Sequence, residues 1–411
     1  MQVLVFNCGS SSLKFGIFDV DVDVDVEGGL TAIHRGAVTE FGSAAKMNWS
    51  DGNEDGQQRF AAHDHGEAAR AILALLDHKG LLNSVVLVGH RIVHGGDRYD
   101  AAVSITETVL KDLEELSILA PLHNPPALMV LSVCRAKFNS IPMVAVFDTA
   151  YFHTLPDYVS TYALPRVWLT GLDPVRRYGF HGIAHRYMVE RFHVISGSDE
   201  HSCRVISLQL GQGCSMAAVR GRQPLETSMG FTPLEGLIMA TRPGDVDAGV
   251  LLHLIGGGKI TARELRDGLN EQSGLLGLSG ISSDMKALLT LEAQGHPGAA
   301  LAVQAFCHRA RKYLGAYLAV LGSADAIIFG GGMGERASEI RARICAGMEW
   351  CGLVVDLEAN EAAVGVEGRI TAQSSPIQAY VIPVDEELLI AQDAIDHLRN
   401  EHIGGDNDRA N

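Results

Sequence analysis

The sequence predicts an α/β chain in which a duplicated domain faces one cleft, and three observations predict it. Apolar runs at 3–6, 85–88, 142–147, 203–210 and 326–329 each end in a polar or glycine-bearing loop. Helical stretches such as 67–82 and 301–321 alternate with them. The strand–turn–strand unit at 3–18 has a counterpart at 205–219, again with glycine in the turn. Strands alternating with helices place ligands beyond the carboxyl ends of the strands, where these loops lie.

The first run leads into NCGSSSLKF (residues 7–15). Gly9 permits close backbone approach, and Ser10, Ser11, Ser12 and the Lys14 ammonium suit a phosphate. The spacing departs from a P-loop, since Phe15 follows Lys14 without a helix signal, so a serine-rich hairpin turn stays open on this segment alone. Residues 19–27 alternate acid and valine, which predicts an edge hairpin with one acidic face. They lack the glycine and terminal glutamate of a calcium loop. An amphipathic helix is expected over 67–82 and a buried strand over 85–89, before HRIVHGG. A boundary is expected near 150–160, giving one domain over 1–150 completed by 384–399 and a second over 151–383. The polar residues 400–411 read as a frayed tail.

With 411 residues, 47% of them hydrophobic, the chain is long enough for two or three domains. A net charge of −16 opposes nonspecific binding to nucleic acid or to anionic membrane. No signal peptide and no run of about 18 apolar residues stands in it, so a cytosolic protein is expected. Seven scattered cysteines without a CxxC pair point to reduced thiols. Cys8 beside Lys14 raises an oxidation switch as one reading and a buried, inert thiol as the other.

Eight segments occur in one order: NCGSSSLKF, HRIVHGG, APLHNPP, VFDTAYFHTLP, RRYGFHGIAHR, GLSGISSDM, GGMGER and IPVDEELLIAQD. Together, from about residue 4 to 393, they closely resemble the acetate kinase family. The resemblance implies a duplicated actin-like fold of ribonuclease H-like domains flanking a cleft. It also implies reversible, magnesium-dependent phosphoryl transfer from ATP to acetate, giving acetyl phosphate and ADP, and a homodimer. Manganese is the alternative metal.

Phosphoryl transfer needs positive charge around three equatorial oxygens. Arg91, His181 and Arg242 can supply it, the arginines through planar forks and the histidine through a directed N–H. The resemblance implies Asn7 and Glu386 as magnesium ligands, a sparse set that suffices for a cation retaining its waters. Asp148 follows the strand at 144–147; acetate is already ionised at neutral pH, so Asp148 reads as an orienter of metal-bound water rather than a base. Val93, Leu122, Phe180 and Pro233 are implied as the walls that set substrate size, with His123 assisting phosphate. One methylene is worth only about 1–3 kcal/mol in such a pocket, so acetate and propionate both remain open.

Ser12 and Lys14 are implied along the phosphate path. The second phosphate loop is Gln209-Leu210-Gly211-Gln212-Gly213, with glutamines where the family has histidine and asparagine. Asp284, Met285 and Lys286, and Gly332, Met333, Gly334, Glu335 and Arg336, outline the implied nucleoside pocket, again with departures from the usual residues. A donor other than ATP, including pyrophosphate, stays open, as do a propionate or butyrate kinase and an actin-like nucleotide switch.

Overall fold

The computed structural model describes residues 1–20, 29–169 and 174–407, the last six by backbone alone. The chain divides into two compact units, Met1–Tyr151 with Asp385–Asn411, and Phe152–Val384.

The first unit is built on eight strands: β1 (Gln2–Cys8), β2 (Ser12–Val20), β3 (Leu30–Thr39), β4 (Gly42–Ser50), β5 (Asp55–Ala62), β6 (Val85–Ile92), β7 (Val103–Ser104) and β8 (Met143–Phe147). Their order is β5-β4-β3-β2-β1-β6-β8-β7. β1 and β2 form the antiparallel pair read from the first apolar run, and β1, β6 and β8 run parallel. The parallel strands are nearly continuous apolar runs because helices cover such a sheet on both faces. Leu4, Phe6, Leu13, Phe15, Val88 and Phe147 meet Ile72 of the helix His65–His78 in the core.

That helix is four residues shorter at its end than the periodicity 67–82 predicts. Gly80 adopts a left-handed φ of 72°, which stops the helix, and a 3-10 turn, Leu81–Ser84, follows. The expected edge hairpin also differs. Asp19 and Val20 lie in β2, an interior strand between β1 and β3, and residues 21–28 lie outside the described residues.

The second unit holds β9 (Arg204–Leu210), β10 (Cys214–Arg220), β11 (Gln223–Thr227), β12 (Ala326–Gly330), β13 (Gly368–Arg369) and β14 (Gln378–Val381), in the order β11-β10-β9-β12-β14-β13. Around β9 the neighbours are two successive antiparallel strands on one side and two parallel strands on the other. Around β1 the arrangement is the same, β3-β2-β1-β6-β8. The two units therefore repeat one topology, the duplicated actin-like fold.

The last helix, Glu386–Asn407, returns to the first unit and packs on β1, β6 and β8. It runs through the start of the stretch read as a frayed tail; residues 408–411 lie outside the described residues. Among the described residues no helix is long and apolar enough to cross a membrane.

Candidate active site

Each unit carries its own group of polar residues at the ends of its central strands. In the first unit, Asn7 is the penultimate residue of β1, β6 ends beside Arg91, and β8 hands the chain to Asp148. Arg91 Nη2 lies 2.5 Å from Asp148 Oδ2, and its Nε donates to both oxygens of the same carboxylate at 3.1 and 3.2 Å. Its Nη1 donates to Asn7 Oδ1 at 3.0 Å. All three residues are buried. Burial alone would lower the Arg91 pKa; Asp148 and Glu386 outweigh it and hold the guanidinium charged.

Asn7 turns its amide nitrogen to Glu386 Oε2 at 2.7 Å and to Glu387 Oε1 at 2.5 Å. Lys14 Nζ stands 3.8 Å from Glu387 Oε1, and Ser12 accepts the Gly9 N–H through its backbone carbonyl. Burial raises the Glu387 carboxyl above its ordinary range, Lys14 opposes this, and neighbouring Glu386 adds to the rise. Two adjacent buried carboxylates form a hard-oxygen set whose repulsion a divalent cation relieves, so the residues fit magnesium. Among the described residues no three of His, Cys, Asp and Glu gather as a metal cage.

The HRIVHGG and LHNPP segments are tied together by Asn124. Its Oδ1 accepts the His94 N–H at 3.1 Å, and its Nδ2 donates to the His94 carbonyl at 3.0 Å. Val93 and His123 are thereby brought to one place. Burial, with His123 adding, pushes the His94 pKa down to about 4. Leu122 is 47% exposed whereas Val93 is buried, so of these two Leu122 has surface to offer a ligand. Cys8 is buried, and burial pushes its thiol up to about 12 against the pull of Arg91. The inert reading fits it, not the switch.

In the second unit His181 precedes the helix Gly182–Ser196 with a left-handed φ of 57°, a conformation that costs about 1–3 kcal/mol and marks functional sites. Its Nδ1 lies 2.8 Å from Ser215 Oγ on β10. Arg242 comes to the same place. A Cβ built on Gly213 would stand 2.7 Å from Arg242 Nη2 and 3.3 Å from His181 Nε2, so only bare backbone lets both side chains close on this turn. Arg242 Nη1 donates to the Pro233 carbonyl at 2.8 Å. Among the described residues no carboxylate pairs with it, and burial lowers its pKa, with Cys214 opposing. A half-buried guanidinium without a counter-ion is a seat for an anion.

The turn itself is tight. Gly211 donates to the Gly213 carbonyl at 3.0 Å, and the Gln212 carbonyl accepts from Ala240 at 3.0 Å, linking the loop to the segment that bears Arg242. Leu210 is buried, and Gln209 keeps a buried Oε1 without a hydrogen-bond partner among the described residues, beside Gly331. Phe180 is fully buried and supports His181 from the core.

The predicted nucleoside residues fall into two groups. Gly332, Met333, Gly334, Glu335 and Arg336 form the helix Gly331–Arg336, whose Gly334 and Glu335 carbonyls are held by buried Arg341 at 2.8 and 2.9 Å. Glu335 Oε1 accepts from Val384 at 3.1 Å. Asp284 caps the helix Met285–Ala293 through Ala287 at 2.8 Å, Lys286 is exposed, and the Met285 side chain is buried in the core.

Sequence reasoning missed Glu387, Asn124, Ser215, His185 and Ser207. Signals were present: the Glu386-Glu387 doublet, and the strand alternation that puts Gly213 and Ser215 on one side.

A family model described as the Acetokinase family matches residues 2–392. The chain is 41% identical to the acetate kinase of Chloroherpeton thalassium, covering 96% of this chain and 98% of that one. It is 42% identical to the acetate kinase of Solibacter usitatus at the same coverage. Among solved structures, the acetate kinase of Porphyromonas gingivalis superposes with a TM-score of 0.85 at 37% identity, over 97% of this chain and 99% of that one. A propionate kinase from Francisella tularensis does so with a TM-score of 0.87 at 33% identity, over 96% and 99%. With its two repeated sheets and its matched length, the chain belongs to the acetokinase family.

Proposed function

We propose that the chain transfers the γ-phosphoryl group of ATP reversibly to acetate, in line, giving acetyl phosphate and ADP. The observation that carries this reading is Arg242: a half-buried guanidinium beside His181 Nε2 and the Gly213 backbone, with no carboxylate of its own among the described residues. Such a group neutralises charge on a migrating phosphoryl unit. Arg91 holds the ionised acetate, and Asp148, with both oxygens on Arg91, fixes the plane of that guanidinium and keeps lone pairs to orient metal-bound water. His181 donates to an equatorial oxygen, and Gly211 and Gly213 admit the phosphates to the backbone.

Magnesium on Glu386, with Asn7 and Glu387 behind it, would neutralise the β- and γ-phosphate oxygens. Ser12 and Lys14 line the phosphate path. Leu122 and Pro233, with buried Val93 and Phe180 behind them, limit the acyl chain, with His123 beside the phosphate. The nucleoside rests against Gly332–Glu335, with Asp284 and Lys286 at its edge. The propionate kinase among the structural neighbours supports a second reading, a longer acyl acceptor.

Hydroxylamine trapping of the acyl phosphate tests both readings. Acetate with ATP is expected to give hydroxamate. Product from propionate or butyrate alone establishes the second reading, and product from pyrophosphate alone replaces the donor. No product from any pairing refutes phosphoryl transfer.

A further inference from the structure

Behind His181 lies a chain of fully buried groups. Ser207 on β9 and Ser215 on β10 face the same side of the sheet, since Ser215 pairs with Gln209 and strand residues two apart share a face. His181 and His185 stand one turn apart at the start of the helix Gly182–Ser196, and the His185 N–H donates to the His181 carbonyl at 2.9 Å. The side chains alternate. Ser207 Oγ lies 2.7 Å from His185 Nδ1, His185 Nε2 lies 2.8 Å from Ser215 Oγ, and Ser215 Oγ lies 2.8 Å from His181 Nδ1. Ser207, His185 and Ser215 have no exposed surface.

We infer that Ser207, His185 and Ser215 form a buried relay that fixes His181 as the tautomer protonated on Nε2, so that it meets the phosphoryl group as a hydrogen-bond donor. The inference deepens the proposed role of His181 and rests on it. Its polarity follows from counting protons. A serine hydroxyl carries one, and His185 Nδ1 is the sole hydrogen-bond partner of the Ser207 hydroxyl among the described residues. Withholding that proton would leave a buried O–H without an acceptor, which is costly.

Ser207 therefore donates to Nδ1 of His185, and His185 carries its proton on Nε2. That N–H donates to Ser215, whose own proton then turns to His181 Nδ1. His181 is left with its N–H on Nε2, the atom that lies with Arg242 Nη2 around Gly213. The opposite tautomer would present a lone pair to phosphoryl oxygens and repel them. Ser207, His185 and Ser215 are positioning residues, because none of them is placed against the reacting atoms.

The test is 15N NMR of the full chain carrying labelled histidine, with His181 assigned by its loss in His181→Gln. A pyrrole-type signal from Nε2 and a pyridine-type signal from Nδ1 are expected at neutral pH. Ser207→Ala and Ser215→Val are expected to mix the two tautomers. Both are expected to lower kcat for acyl phosphate formation about tenfold or more, with KM for acetate unchanged. Ser215→Thr keeps the hydroxyl and is expected to restore both readouts. A wild-type His181 signal with the proton on Nδ1 overturns the relay, and so does a tautomer unmoved by both substitutions. The NMR signature does not depend on turnover. A wild-type chain that makes no acyl phosphate yet shows the Nε2–H signal refutes the proposed reaction and upholds the relay.

Discussion

Arg91 has the Asp148 carboxylate at 2.5 Å, whereas Arg242 has the Pro233 carbonyl at 2.8 Å and, among the described residues, no anion. The two substitutions to alanine therefore differ. Arg242→Ala removes an anion seat and is expected to lower kcat about 10²–10³-fold with an unchanged melting temperature. Arg91→Ala strands a buried carboxylate, which costs about 3–5 kcal/mol, so it is expected to lower both activity and thermal stability. Paired melting curves and hydroxamate assays check this, and equal melting temperatures would contradict it. The ion pair was not legible in the sequence, because Arg91 and Asp148 are joined only once β6 and β8 lie side by side. The thiols differ in exposure. Six of the seven cysteines are buried and Cys351 is half-buried, so alkylation of the native protein is expected to modify Cys351 alone and leave activity intact. Mass spectrometry locating label on Cys8 would reverse that expectation.

Among the elements, the turn between β9 and β10 decides how closely His181 and Arg242 approach the backbone. Gly213→Ala puts a methyl group 2.7 Å from Arg242 Nη2, a distance that forces the guanidinium away. We expect kcat to fall at least tenfold with little change in melting temperature, since no core packing is touched. A variant with full turnover would remove Gly213 from the site. The turn was legible as a glycine-bearing link between apolar strands, and so was the β1–β2 hairpin, because in both the polar residues interrupt continuous apolar runs. Helix limits were less legible. The periodicity of 67–82 continues across Gly80, and only its left-handed backbone shows that the helix has ended before it.

Over the whole molecule, the duplicated topology was legible from one repeated pattern, a strand–turn–strand followed by further strands ending in loops. What escaped was the acidic pairing, because Glu387 acquires its surroundings only when the last helix packs beside β1. Buried histidines contribute to the acid response of the first unit. Burial pushes His90 down to about 3 and His94 to about 4, from an ordinary value of 6.5. Between about pH 6.5 and those values the unfolded chain binds protons that the folded chain does not, so stability rises with pH across this window and is lost as pH falls. The slope is about 1.4 kcal/mol per pH unit for each histidine. Urea midpoints are expected to drop from pH 7 to pH 5, and a flat profile would disprove it.

The helix Glu386–Asn407 lies at one end of the chain and Asn7 at the other, yet Asn7 Nδ2 is 2.7 Å from Glu386 Oε2. On the ribosome this contact forms only after all of the second unit, residues 152–384, has been made. A chain that stops before residue 386 lacks both carboxylates, so on the proposed reading it is expected to hold no magnesium and to transfer no phosphoryl group.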